Sequence, residues 1–395
     1  MAAIAGLRGT GDWGTDERPK NFREYILWRD PNGMAPLTAL LSKMGSESTN
    51  DPEFSWWEEQ LNLTRVQSDA TGASATSTSL GLTGGGLDLV PGDLLLVEKA
   101  DAATFDNEIV EVSSVTSDTA IVIKRAQAGT SGAATGASAF LTKIGNRFAE
   151  GTTSPSVSTR NPTKLSNYCQ IFKTAYELTE TTKITHARTG DPLKNDKKRK
   201  AFDHAVAMEL AFLFGAKNET TGSNGKPMRT TAGLRRFITT NVTVFSTTPT
   251  VNTFLDAVYP VFDYSGSGAG NERIVFAGNG ALNALNKMVH TNSATRVNYN
   301  GKVDAFGMKL MEYQLPQGML YIRSHPLLNT HARYTNSMFI IDPSALRYRY
   351  LRDTKPQDKI QAPDADTHKG QWLTECGLEV QHERTMAYLG NFIVP

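Results

Sequence analysis

The residues that could carry out chemistry in this sequence are few, and no pattern brings them together. Gly9, Gly11 and Gly14 match the glycine spacing of a dinucleotide-binding loop. Such a loop requires a strand before it and a helix after it, and no strand-forming run precedes these glycines. The sequence contains neither a phosphate-binding GxxxxGK[ST] motif nor the GxSxG motif of serine hydrolases. We therefore interpret this stretch as a loop and not as a nucleotide site.

Histidines, thiols and carboxylates show no spacing that is typical of a metal site. None of the seven histidines belongs to an HExxH motif or lies at ligand spacing from a cysteine. His204 falls inside a predicted helix without a matching partner, which favours a packed or solvated residue. The two cysteines, Cys169 and Cys376, are expected to be buried and reduced. Asp364 and Asp366 are typical of a solvated loop. We predict no catalytic, cofactor-binding or metal-binding residues, and no cofactor.

One basic cluster interrupts an otherwise balanced charge distribution. The 41 Lys and Arg residues and 40 Asp and Glu residues leave a formal net charge of +1, which argues against nucleic-acid binding by overall charge. The cluster consists of Lys194, Lys197, Lys198, Arg199 and Lys200. At the start of a helix these charges oppose the helix macrodipole. Two interpretations are open: a solvated helix face, or contact with phosphates or an acidic partner surface.

The helix that carries this cluster has the strongest pattern in the sequence. Asp191 is a favourable N-cap and Pro192 is favoured at the first helical position, so we predict a helix over 191–217. At 1.5 Å per residue it would be roughly 40 Å long. Apolar residues at helical spacing predict the stripe that packs on a sheet. This stripe consists of Phe202, Val206, Leu210 and Leu213.

A block of short strands precedes the helix. Residues 68–86 are small and polar, as in a linker, and β-branched runs separated by turn residues follow over 87–145. Extended, polar segments over 54–66 and 146–180 lie on either side. They could pair as a long two-stranded loop with the strand block at or near its tip. We predict a small antiparallel barrel or tongue that is inserted into a larger domain.

After the helix, amphipathic and apolar patterns alternate. Amphipathic patterns predict helices over 251–263 and 279–290, and the apolar run 273–278 predicts a buried strand between them. The remaining predicted elements are strands over 304–313, 318–324 and 337–342, a polar loop over 353–369, and two final strands within 371–395 that form a hairpin or a returning edge.

The first 50 residues lack a repeating apolar face but contain large aromatic side chains. These are Trp13, Phe22, Tyr25 and Trp28. A segment that cannot bury such side chains internally needs an external apolar surface. We predict that the four aromatics anchor this arm on another domain or subunit.

This order of parts resembles the major capsid fold of tailed bacteriophages, which encapsulins and the herpesvirus capsid floor share. Local stretches resemble a branch of phage head proteins with a β insertion in the extended loop. They are PGDLLLVEK, IVIKRAQAGTSGAA, RFAEG leading to NYCQIFKTAYELTETT, MELAFLFGAKNE, GLRRFI and ECGLEVQHERTMAYLGNF. The resemblance covers nearly the whole chain, implies an α+β fold and carries no catalytic residues.

The resemblance also implies a division of the chain into parts. They are an N-terminal arm (1–50), an extended loop (51–67 and 146–185), an inserted β domain (68–145), a peripheral domain (186–250 and 371–395) with the spine helix 191–217, and an axial domain (251–370).

The implied function is that of a structural subunit and not of an enzyme. The subunit would self-assemble into an icosahedral phage head that encloses double-stranded DNA, with the basic cluster facing the DNA. Implied partners are further copies in hexamers and pentamers, a separate scaffolding protein, a portal and a decoration protein. The implied location is the virion capsid, assembled in the host bacterial cytoplasm. No signal peptide or membrane-length apolar run points to a membrane partner.

Other classes of protein fit the sequence less well. An encapsulin-like compartment would use the same fold, but the β insertion and the long arm favour a phage. An enzyme should show a convergent polar site, and a tail or adhesin protein should be mostly β, which the helix 191–217 argues against. Some relatives cross-link subunits through a Lys–Asn isopeptide bond. Lys164 lies in the returning loop segment, but no motif singles it out.

Overall fold

The structure is a computed structural model that divides the chain into two compact units. It describes residues 37–38, 41, 46–59, 65–98, 106–155, 157, 159, 161–185, 190–264, 270–291, 302–305 and 308–393. The insert unit is Trp57–Lys164, and the main unit combines Met1–Trp56 with Leu165–Pro395. Both helices and strands are present, so the predicted α+β class is confirmed.

Strands make up most of the regular structure. The first ten are β1 (Ser46–Ser48), β2 (Glu53–Glu58), β3 (Arg65–Gln67), β4 (Ser79–Gly81), β5 (Asp93–Glu98), β6 (Asp106–Ser117), β7 (Ala120–Gln127), β8 (Phe140–Asn146), β9 (Thr163–Tyr168) and β10 (Gln170–Thr179). Those that follow are β11 (Asn218–Thr221), β12 (Pro227–Thr230), β13 (Val242–Val244), β14 (Glu272–Ala277), β15 (Lys302–Ala305), β16 (Met308–Gln314), β17 (Met319–Ser324), β18 (Met338–Ile341), β19 (Leu346–Asp358), β20 (Thr367–Val380) and β21 (Ala387–Gly390).

The α-helices of the described residues lie in the main unit, and one of them is much longer than the rest. They are α1 (Glu180–Ile184), α2 (Pro192–Phe214), α3 (Leu234–Phe237), α4 (Val251–Val258), α5 (Asn279–Thr291) and α6 (Pro326–Asn329). Residues 37, 38 and 41 are helical as well.

The insert unit is a small closed barrel. Its strand order is β3-β8-β5-β6-β7-β4, and the two outer strands meet through the bridge Ser68↔Leu82. The N–H of Asp69 donates to the Gly81 carbonyl at 2.9 Å beside this bridge. Alternate side chains point inward and form a separate apolar core that includes Leu95 and Ile121. The described strands thus form a barrel, one of the two forms, barrel or tongue, that the strand block predicts, and closure pairs the two outer strands with each other.

The expected long two-stranded loop is shorter than predicted. The chain passes to the insert unit through β2 and returns through β9, and these two strands pair with each other. The next strand, β10, does not extend this ladder. It pairs with β20 in the main unit, from Gln170↔Cys376 to Thr179↔Thr367.

Two sheets organise the main unit. The four-stranded sheet has the order β1-β19-β20-β10, and the seven-stranded sheet has the order β13-β21-β18-β14-β17-β16-β15. The apolar run around β14 is a buried strand, as predicted. Because side chains alternate along a strand, Ile274 and Phe276 enter one apolar cluster. Val275 and Ala277 enter a second cluster, which α4 and α5 cover.

The predictions for the end of the chain are wrong in two respects. The predicted loop 353–369 is shorter than expected, because β19 runs to Asp358 and pairs with β20, which begins at Thr367, so only 359–366 connect the two strands of a long hairpin. Residues 353–358 are all exposed, so they lack the apolar alternation by which a strand is recognised. The two final strands also belong to different sheets, since β21 pairs with β18. The implied boundary between 251–370 and 371–395 therefore separates residues that share sheets.

Helix α2 begins where the sequence predicts and ends three residues early. The Asp191 side chain accepts hydrogen bonds from the N–H groups of Leu193 (2.9 Å) and Lys194 (3.3 Å). The helix has 23 residues, or about 35 Å at 1.5 Å per residue. At Gly215, which follows it, a β-carbon would lie 2.4 Å from the Thr231 carbonyl oxygen. The close approach of the returning chain therefore requires glycine at this position.

The predicted apolar stripe of α2 is largely wrong. Leu213 is buried, but Leu210 is 39% exposed in the single chain, and Phe202 and Val206 are only half-buried. The sheet-facing side instead carries His204, Met208, Glu209, Phe212 and Leu213. Two of these buried residues, His204 and Glu209, are polar, so the spacing of apolar residues alone does not identify the buried face.

Paired alanine substitutions test this orientation. Leu213→Ala should lower the free energy of unfolding of the unassembled subunit by about 2–5 kcal/mol, because it opens a cavity in the core. Leu210→Ala should cost about 1 kcal/mol or less, because this side chain is partly solvated. Denaturant unfolding followed by circular dichroism measures both. Equal losses would mean that the helix face is assigned wrongly.

Candidate functional site

The part of the arm that the structure describes is fastened to the main unit. The aromatic anchors Trp13, Phe22, Tyr25 and Trp28 lie outside the described residues, so their role stays a prediction. Leu37 and Leu41 are buried in the same cluster as Phe212 of α2. A few residues later, β1 pairs in parallel with β19, beginning with Ser46↔Tyr348.

A buried carboxylate receives the backbone of this segment. Glu209 Oε1 accepts the Leu37 N–H at 2.7 Å, and Oε2 accepts the Thr38 N–H at 2.6 Å. His325 Nε2 lies 2.9 Å from Glu209 Oε1, and both side chains are 0% exposed. His325 Nδ1 accepts the Leu327 N–H at 3.2 Å. This contact leaves Nε2 as the nitrogen that carries hydrogen and donates to Glu209.

No sequence pattern predicted this pair of residues. Glu209 is the acidic residue within the apolar run MELAFLF. A lone carboxylate in such a run is a signal of a buried acceptor with specific donors, because an unpaired buried charge is strongly destabilising. His325 lies more than a hundred residues away, between β17 and α6, and nothing in the sequence connects the two.

The basic cluster lies in the first turns of α2, and acidic neighbours accompany it. Lys197 pairs with Asp358 at 2.8 Å and Lys200 pairs with Asp203 at 3.1 Å. Longer contacts join Lys194 to Asp191 at 4.0 Å and Arg199 to Asp196 at 3.9 Å. Lys198 is exposed. These carboxylates reduce the local positive potential well below that of five isolated cations.

Lys197 has a structural partner. Asp358 accepts hydrogen bonds from Lys197 Nζ and from the Tyr176 hydroxyl group. Both donors lower the pKa of Asp358, Lys197 more than Tyr176. Burial and the adjacent carboxylate raise the pKa of Tyr176. The Tyr176 ring lies against Gly370, where a β-carbon would come within 2.3 Å of the hydroxyl oxygen. The contacts of Lys197 and Tyr176 with Asp358 hold the start of α2 against the β19–β20 hairpin.

Both cysteines are held as neutral thiols. Burial raises the pKa of Cys169 to about 12, and burial also raises the pKa of Cys376. Cys169 contributes to the wall of an open pocket of about 360 Å³, together with Ile171, Met228 and Glu375. A thiol that stays protonated is a poor nucleophile and metal ligand. Within the described residues, no group of three or more His, Cys, Asp or Glu side chains is arranged to hold a metal ion.

His204 is packed between the helix and the four-stranded sheet. Its Nδ1 lies 3.1 Å from Thr174 Oγ1, and its Nε2 lies 2.7 Å from Thr374 Oγ1. Burial lowers the pKa of His204 from its ordinary value of 6.5. The imidazole is therefore neutral near pH 7 and serves as a polar contact in the core.

None of the helices in the described part of the chain combines the length and the apolar character needed to cross a membrane.

Comparisons with known proteins reach across both units. Residues 9–392 match the family model described as SU10 major capsid protein. The major capsid protein of Pseudomonas phage PaMx41 is 26% identical over 359 residues, which cover 89% of this chain and 83% of that protein.

Solved structures resemble the chain at lower identity. A structure of Mycobacterium phage Bobi has a TM-score of 0.49 and 8% identity, and covers 94% of this chain and 95% of its own. The capsid of Myoviridae phage XM1 has a TM-score of 0.47 and 10% identity, with 94% and 96% covered. The holo-SrpI encapsulin complex from Synechococcus elongatus PCC 7942 has a TM-score of 0.42 and 10% identity, with 59% and 76% covered.

The neutral, buried state of His204 predicts a dependence of stability on pH. Below pH 6.5 the unfolded chain takes up a proton at His204 more readily than the folded chain. The free energy of unfolding should therefore fall as pH drops below 6.5, and this contribution should level off once the lowered folded pKa is passed. His204→Gln should flatten the curve below pH 6.5. Thermal unfolding of the unassembled subunit measures it.

His331→Gln, the same change at an exposed histidine, serves as the control. Parallel curves for His204→Gln and wild type would contradict the assignment.

Proposed function

The chain belongs to the SU10 major capsid protein family, and on that premise we propose that it builds the shell of a phage head around double-stranded DNA. The observation that carries the proposal is the extent of the family match. Residues 9–392 include most of the arm, the whole insert unit and nearly all of the main unit. The function therefore belongs to the complete chain, as a structural subunit of a capsid.

The distribution of apolar surface supports assembly from many copies. Both units expose large apolar side chains, among them Leu87 (63%), Ile184 (80%), Met228 (58%) and Val244 (60%). Burial of such side chains against other copies would remove apolar area from water. In a closed shell each contact is repeated by symmetry. We propose hexamers and pentamers of this chain as the repeating assemblies.

The proposed role is structural and not catalytic. Protonated thiols and polar groups that pair within the core fit a protein that must be stable and not reactive. The finished protein would reside in the virion capsid, after assembly in the host bacterial cytoplasm. A separate scaffolding protein, a portal and a decoration protein are the further partners that we propose.

An encapsulin-like compartment is the alternative, and it has less support. The PaMx41 relative is a phage protein, and the family model is described as a major capsid protein. Particles that contain this chain should be purified, treated with nuclease and imaged by electron cryomicroscopy. We expect icosahedral shells that protect double-stranded DNA of phage-genome length. Shells filled with an enzyme and free of DNA would support the compartment, and a chain that forms no shell would overturn both.

Lysines at the start of α2 allow a separate test of contact with DNA. We propose that the exposed Lys194 and Lys198 face the interior, whereas Lys197 holds the β19–β20 hairpin through Asp358. Lys194→Gln with Lys198→Gln should leave empty shells intact and should reduce DNA retention. Lys197→Gln should lower the melting temperature of the subunit. Filled heads of the double variant that hold DNA as well as wild type would mean that Lys194 and Lys198 are only solvated.

Deletion of residues 1–30 tests the arm. The subunit should still fold, because the described core begins at Leu37. Burial of one large aromatic side chain is worth about 1.5–3 kcal/mol, so loss of four anchors per copy should weaken every contact that they form. Shells of the deletion variant should fail to close or should fall apart on mild heating, as seen by electron microscopy. Shells of normal size and heat stability would contradict the role of these aromatics.

A further inference from the structure

The Glu209 carboxylate accepts its hydrogen bonds from outside its own helix, and mainly from backbone N–H groups. Among the described residues its donors are the backbone N–H groups of Leu37 and Thr38, and His325. A buried carboxylate is tolerated only where hydrogen-bond donors replace water. The sequence therefore keeps a carboxyl group in the core of the main unit at a position where the described part of the arm supplies two donors.

The same contact satisfies the segment. A buried backbone N–H group needs an acceptor. Leu37 is 0% exposed, so water cannot supply one for its N–H. Glu209 supplies acceptors to two successive residues, Leu37 and Thr38, from another helix.

The hydrogen bonds from the backbone N–H groups of Leu37 and Thr38 to Glu209 fix the position of this segment in the main unit. A shift of the chain by one residue would move the Leu37 and Leu41 side chains out of the apolar cluster that contains Phe212. It would also break the pairing of β1 with β19 a few residues later. The Glu209 carboxylate, the apolar cluster and the pairing of β1 with β19 together fix one register for Leu37, Leu41 and β1.

We propose that Glu209 is a positioning residue for shell assembly: it fixes the position and the register of Leu37 and Thr38, at which the described part of the arm begins. His325 holds the carboxylate in place by donating from Nε2. The part of this proposal that concerns assembly rests on the arm role given under the proposed function. The anchoring part concerns the single subunit and can be measured without shells.

Glu209→Gln keeps the shape of the side chain but replaces one acceptor oxygen by an NH2 group, which cannot accept an N–H. A matched control exists in the same unit. Glu383 Oε2 accepts the N–H groups of Thr239 and Thr240 at 3.0 and 3.1 Å. Glu383→Gln therefore removes the same type of contact at a place that is remote in sequence from the arm.

Hydrogen–deuterium exchange of the full-length, unassembled subunit is the first measurement. In Glu209→Gln the amides of residues 37–41 should exchange about tenfold faster or more, whereas peptides from β20 should keep the wild-type rate. Glu383→Gln should leave residues 37–41 unchanged. Unchanged exchange at 37–41 in Glu209→Gln, or an equal increase in Glu383→Gln, would overturn the anchor. If Glu209→Gln does not fold, Glu209→Asp, which keeps the charge but shortens its reach, is measured in the same way.

Shell assembly is the second measurement. Glu209→Gln should form fewer closed shells than Glu383→Gln at equal subunit stability, as counted by electron microscopy. Normal shells from Glu209→Gln would overturn its role in assembly. Failure of the wild-type chain to form shells would instead refute the proposed function, while faster exchange confined to residues 37–41 would still support the anchor.

Discussion

Everything in the main unit depends on how α2 lies between two sheets. Its buried face contributes Phe212 and Leu213 to a cluster that also contains Phe172 of the four-stranded sheet and Phe276 of the seven-stranded sheet. A helix with one wide apolar face could slide or rotate between two such sheets, since apolar contacts are not directional. To hold α2 in one position, the structure needs directional contacts, which break when the helix shifts.

Two buried polar side chains provide those contacts, one toward each sheet. His204 reaches Thr174 on β10 and Thr374 on β20, which places the helix on the four-stranded sheet. One turn later Glu209 reaches His325, which follows β17 of the seven-stranded sheet. A hydrogen bond lost in the core costs more than an apolar contact that shifts slightly. The polar pair therefore specifies the position of the helix, and the apolar side chains supply most of the stability.

The insert unit must satisfy a different structural requirement. A subunit that must contact many copies of itself cannot present open sheet edges without risk of wrong pairing. The bridge between Ser68 and Leu82 closes the barrel, and the buried pair of Arg125 with Glu108 holds its inner loops. Arg125 also donates to the carbonyl groups of Ser74 and Ser77. The insert can thus present side chains to partners while its backbone groups stay paired.

Local patterns in the sequence determined the start of α2, the buried strand β14 and the strand-rich insert, because caps, apolar runs and turn residues act within a few neighbours. The order of these parts along the chain resembles that of the capsid family. Tertiary structure alone decided which face of α2 is buried, because His204 and Glu209 become core residues only where distant Thr374 and His325 meet them. It alone placed Lys197 beside Asp358, and it joined β21 to β18 and not to β20. Each of these contacts links residues far apart in the chain, and no local pattern of polarity encodes such a pairing.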